Sequence, residues 1–152
     1  MYGAILEKAD IIYTDMYEIL KALNGIELKY NWLLANYECN YYPNEQLEKN
    51  RHNYLWISGD QLSRLLKKEK IQFIWGVFCA FETTVSLDSI LKYELPKSNN
   101  IDFSKNDECV TQNPLSTLEI VAWDSKAVFI ISKEEQPIKY FLESFPLAES
   151  LY

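Results

Sequence analysis

Glycine is scarce in this chain, four residues in 152, and none stands in a pattern that cradles phosphate. Histidine is scarcer still: His52 is the only one, which leaves little scope for His-based metal sites and proton shuttles. The three cysteines, Cys39, Cys79 and Cys109, are odd in number and lack the CxxC spacing of a zinc or redox site. No apolar run approaches the ~20 residues of a membrane span. The opening MYGAILEKAD carries an apolar run too short for a signal peptide, with neither a basic start nor a small-residue cleavage site. Positive charge is short as well, 15 Lys and Arg against 22 Asp and Glu, and the resulting net charge of -7 argues against nucleic acid or an anionic membrane as partner. These shortages predict a cytoplasmic chain with reduced thiols, no metal and no cofactor, better suited to a basic partner than to an acidic one.

What the chain does hold is apolar and aromatic. Hydrophobic residues make up 48% and aromatic ones 14%, far from a disordered composition. Its length suits one domain, residues 1–152, able to bury about 70% of the surface exposed when unfolded. The stretch Ile71 to Glu82, IQFIWGVFCAFE, organises the rest. Ile71, Phe73, Trp75, Val77, Cys79 and Phe81 recur with the period of two that a strand presents to one face, and Ile74, Phe78 and Ala80 make the other face apolar too. A strand apolar on both sides belongs in the middle of a sheet, with cover over both faces.

Around it the patterns alternate in type. Tyr2, Ala4 and Leu6 suggest a first strand. Asp15 with Glu18 reads as a helix start, Met16, Ile19, Leu20 and Leu23 as its buried face, and Asn24-Gly25 as its left-handed stop. Leu28, Tyr30, Trp32 and Leu34 share a strand face, but the phase slips near Ala35 and Asn36, which predicts a bulge or tight turn. Residues 42–53 read as a polar loop, 54–57 as a short strand, and Ser58 with Gln61 as a capping box for a helix burying Leu62, Leu65 and Leu66. Ser86 caps a short helix containing Leu87, Ile90 and Leu91, and residues 97–114 form a long surface loop of a kind that often carries function. Residues 118–123 and 127–132 make a hairpin about Asp124, Ser125 and Lys126, and Pro137 leads a last helix that ends at Pro146. The expected fold class is α+β: a mainly antiparallel sheet carrying three or four helices.

Candidate chemistry is sparse. His52 lies between Arg51 and Asn53 in the polar loop and reads as a solvated residue, while Cys39 and Cys79 occupy alternating strand positions and read as small core hydrophobes. An enzyme pairing one of these thiols with His52 is the alternative from another class, and a self-associating structural or ligand-sensing domain is a third. Ser58-Gly59-Asp60 lacks the GxSxG of a nucleophile elbow, and Glu134-Glu135 stands where a helix start favours acids. Two features remain open between a bland reading and a functional one. Tyr37, Tyr41 and Tyr42 either line one strand face or offer an interface. Between Glu82 and Asp124 eight acids face three bases, either as a solvated surface or as a partner-binding span in which Asp88, Glu94, Asp102, Asp107 and Glu108 do the contacting.

The run Glu119-Ile120-Val121-Ala122-Trp123-Asp124-Ser125, then Ile130-Ile131-Ser132-Lys133-Glu134-Glu135 and a closing amphipathic helix, resembles the C-terminal part of small acidic bacterial proteins. These comprise uncharacterised families and the immunity proteins of polymorphic-toxin and contact-dependent secretion systems. The early helix, Tyr30-Asn31-Trp32 and Phe78-Cys79-Ala80-Phe81 fit the same layout. The resemblance implies a cytoplasmic inhibitor that binds a cognate toxin, many such toxins being basic, with no catalytic residues of its own and a monomeric or weakly dimeric state.

Overall fold

The computed structural model describes residues 1–7, 15–100 and 110–151. Its strands are β1 (Tyr2–Leu6), β2 (Tyr30–Cys39), β3 (Tyr54–Ser58), β4 (Phe73–Glu82), β5 (Leu118–Trp123), β6 (Ala127–Ser132) and β7 (Glu149–Ser150). They form one sheet in the order β3-β2-β4-β5-β6-β1-β7, with every pairing antiparallel. β4 is held by β2 on one side and β5 on the other, the interior place that its two apolar faces require. The first strand of the chain returns to the far side of the sheet, where β1 pairs with β6 and carries the two-residue β7 at its outer edge.

The helices are α1 (Met16–Ala22), α2 (Glu45–Lys49), α3 (Gly59–Lys68), α4 (Leu87–Ile90) and α5 (Glu135–Ser144). Three of them cover one face: Met16, Ile19 and Leu20 of α1, Leu62 and Leu66 of α3, and Ile138 and Phe141 of α5 share a core with Trp32, Leu34, Phe78, Ile120 and Ile130 from the sheet. The other face, where Leu33, Val77, Cys79, Phe81, Val121 and Phe129 lie, is covered without a long helix. There Ile90 of α4 packs with the partly buried Val85, Leu87, Leu95 and Leu115, so residues 83–100 and 110–117 supply the second layer.

Local signals set several boundaries. Ser58 and Gln61 form the reciprocal capping box of α3, and Ser86 caps α4 through the Ser89 amide at 3.2 Å. Asn24 and Gly25 take left-handed φ values of 56° and 88° after α1, and Asp124 and Ser125 do so in the hairpin turn, closed by the Lys126 amide on the Trp123 carbonyl at 2.9 Å.

Three expectations need revision. Five α-helices occur among the described residues rather than three or four. The extra one is α2, inside residues expected to be loop, where the Asn44 side chain accepts the Leu47 amide at 2.8 Å. A helix that buries only Leu47 leaves no periodic signature to read. β7 is too short to announce itself. Finally, the bulge expected near Ala35 is present, with Asn36 at φ 51°, but β4 shifts register as well. Ala35 opposes Val77, Glu38 opposes Trp75 and Cys39 opposes Phe73, so each strand carries one extra residue in turn. Phe73 therefore shares the helical face with Phe78 and Ala80, while Val77, Cys79 and Phe81 face the other way.

Candidate functional site

The layer without a long helix is fastened from beneath by an acid. β5 puts Glu119 opposite Cys79, at 0% exposure, under residues 110–117. Its carboxylate accepts the Gln112 amide at 2.7 Å, the Asn113 amide at 3.0 Å and the Ser116 hydroxyl at 2.8 Å, and the Cys79 thiol reaches it at 3.6 Å. Asn113 in turn donates its side-chain amide to the Ile90 carbonyl at 3.3 Å, which ties α4 into the same assembly. Burial raises the Glu119 pKa, and the hydrogen bonds from Asn113, Gln112, Ser116 and Cys79 oppose that rise. Every contact is a donor, the set an ionised carboxylate needs.

Anchoring below leaves an ordered outer surface. Asp88, Leu91, Lys92, Tyr93 and Glu94 are exposed there, with Leu91 39% and Tyr93 44% open to solvent. Apolar side chains of this size sit between two acids, on backbone fixed by the α4 cap and by the Tyr93 amide on the Ile90 carbonyl. Of the five acids expected to meet a partner, Asp88 and Glu94 lie on this surface, and Asp102, Asp107 and Glu108 lie outside the described residues.

The three tyrosines are divided. Tyr37 is a core residue: its ring meets Phe73 edge-on at 6.4 Å, its hydroxyl donates to the Leu47 carbonyl at 2.6 Å, and burial raises its pKa. Only its neighbours can reach a partner. Tyr41 is 40% exposed and donates to Glu69 at 3.3 Å. Tyr42 is partly buried, accepts the Cys39 amide at 3.2 Å and carries the Arg51 guanidinium over its ring at 5.4 Å.

Neither thiol is set up as a nucleophile. Cys39 and Cys79 are both buried; burial, with Glu38 beside it, pushes Cys39 up to about 12, and burial with Glu119 nearby raises Cys79 well above the ordinary thiol value. His52 is exposed and shares a cleft with Cys39, but no hydrogen bond joins them. Among the described residues no group of three or more His, Cys, Asp or Glu side chains could hold a metal ion, and no helix is long and apolar enough to cross a membrane.

The cleft itself measures about 670 Å³ and opens where β2 and β4 are bulged. Its walls are pinned: Asn36 accepts the Ser98 amide at 2.8 Å and the Ser98 hydroxyl at 2.6 Å, and the backbone of Lys97 is bonded twice, at 2.9 Å each, to the Gln112 side chain.

Sequence reasoning missed Glu119, which it counted with the surface acids. A signal was present, since an acid inside Leu118-Glu119-Ile120-Val121-Ala122 has apolar neighbours on both sides and asks for buried donors. Leu91 and Tyr93 were missed for the opposite reason: nothing local distinguishes an exposed apolar residue from a buried one. No family model matches the chain, and no curated protein and no solved structure is significantly similar to it.

Proposed function

We propose that this chain is a toxin-neutralising immunity protein, a cytoplasmic inhibitor that binds a cognate basic bacterial toxin and blocks it. The observation that carries the reading is the exposed pair Leu91 and Tyr93 between Asp88 and Glu94, on a layer anchored by Glu119. An aromatic anchor with an acidic rim has the chemistry of a binding centre, because the ring supplies buried area at low entropic cost and the acids steer a positive partner. Anchoring the backbone in advance lowers the ordering cost of association. Asp102, Asp107 and Glu108 belong to the same acidic span of the sequence and add to its negative charge, and Tyr41 and Tyr42 supply a secondary contact. Buried thiols with raised pKa count against the alternative of a cysteine enzyme using His52.

The test is co-expression with the product of a toxin-domain gene, should one lie beside its own, scored for protection and followed by binding kinetics on the purified pair. Tyr93→Ala should weaken binding about tenfold or more. Reversing Asp88 and Glu94 to Lys should slow association, and added salt should slow the wild type, since exposed charges are screened beyond ~8 Å at physiological ionic strength. Neither change should move the melting temperature appreciably. Failure to protect against or bind that product, or wild-type binding by both variants, would overturn the reading.

A further inference from the structure

We propose that the cleft at the bulged end of β2 and β4 binds a small organic phosphate carrying a flat ring. The site is distinct from the Leu91 and Tyr93 surface proposed for a toxin, although Tyr42, the secondary contact there, also lines this cleft, and its test uses the chain alone. In a chain of net charge -7, this cleft gathers, among the described residues, Arg51, His52 and Lys97 against one acid, Glu38. No described carboxylate pairs with any of the three. Arg51 is held over the Tyr42 ring and is thereby oriented, while Lys97 projects from backbone fixed by Gln112. Two positioned cations with a neighbouring imidazole N–H at a concave site suit an anion, and their several donors match the oxygens of a phosphate better than the two of a carboxylate. The partly buried Trp75 also lines the cleft, steadied by edge-on contact with Trp123 at 5.9 Å, and supplies a stacking surface. Size and charge limit the ligand: the volume fits a small molecule, and the acidity of the chain as a whole repels a polyanion. Recognition here is by side chains, so the absence of a glycine-rich loop from the sequence does not bear on it.

The experiment titrates the native chain with adenosine monophosphate, adenosine, inorganic phosphate and benzoate, by calorimetry and tryptophan fluorescence at low salt. Adenosine monophosphate should bind with a dissociation constant below about 1 mM and quench emission, while the other three bind at least about tenfold more weakly. The quench should disappear in Trp75→Phe. Arg51→Ala with Lys97→Ala, both at exposed positions, should weaken binding about tenfold or more, and Glu38→Gln should strengthen it by removing like charge. Three results would overturn the proposal: no binding of adenosine monophosphate, affinity unchanged by both sets of substitutions, or inorganic phosphate or benzoate binding as tightly as the nucleotide.

Discussion

Glu119 concentrates the energetic stakes of the molecule in one side chain. A buried carboxylate is tolerable only when donors replace its water, and the amides of Gln112 and Asn113 and the Ser116 hydroxyl do so. Glu119→Gln should turn an acceptor into a donor that faces other donors, costing about 2 kcal/mol of stability. Hydrogen exchange should show the Gln112 and Asn113 amides opening faster; unchanged exchange and melting would remove Glu119 from its anchoring role. Cys79, packed beside it, should resist thiol reagents in the native protein and react once unfolded, as site-resolved mass spectrometry can read, because a thiol with raised pKa is both covered and poorly ionised. The burial of Cys79 was legible from its alternation with Val77 and Phe81. The bonding of Glu119 was not, because its donors come from a segment with no repeating pattern.

Among the elements, α3 depends most on a single contact. Gly59 opens it so close to the preceding chain that a Cβ there would lie 2.1 Å from the Glu27 carbonyl oxygen and 2.9 Å from that of Tyr30. Backbone atoms cannot rotate aside, so Gly59→Ala should cost about 2–3 kcal/mol, as overpacking does. Ser58→Ala, one residue earlier, should cost only about 1 kcal/mol through loss of the cap. Thermal melts of the two variants check the order, and a milder effect at Gly59 than at Ser58 would contradict the close approach. The start of α3 was readable because a capping box lies within four residues of chain. Its fit against residues 27–30 was not, since no short pattern encodes the meeting of two backbones.

For the whole molecule, two raised carboxyls predict how stability follows pH. Burial raises Glu27, whose Oε2 has no hydrogen-bond partner, and burial likewise raises Glu119. An acid with a folded pKa above its unfolded value of 4.5 binds its proton more readily in the folded state. Its stabilising contribution is complete below that unfolded value and is lost as pH rises through the folded one. Melting temperature should therefore rise as the pH is lowered from about 7 towards about 5, and less so in Glu27→Gln, which keeps the size and removes the charge. Equal pH responses in wild type and variant would show that Glu27 does not contribute.

Sequence alone determined the α+β class, the central place of β4, the capped starts of α3 and α4 and the hairpin turn, because periodicity, caps and left-handed turn residues act over a few neighbouring positions. Only the tertiary structure decided that β1 crosses to the far side of the sheet, that β4 answers the bulge in β2 with one of its own, that an interior acid fastens the second layer, and that Arg51 and Lys97 share a cleft. Those outcomes depend on which distant segments meet, and a buried charge or a shared cleft exists only after they have met.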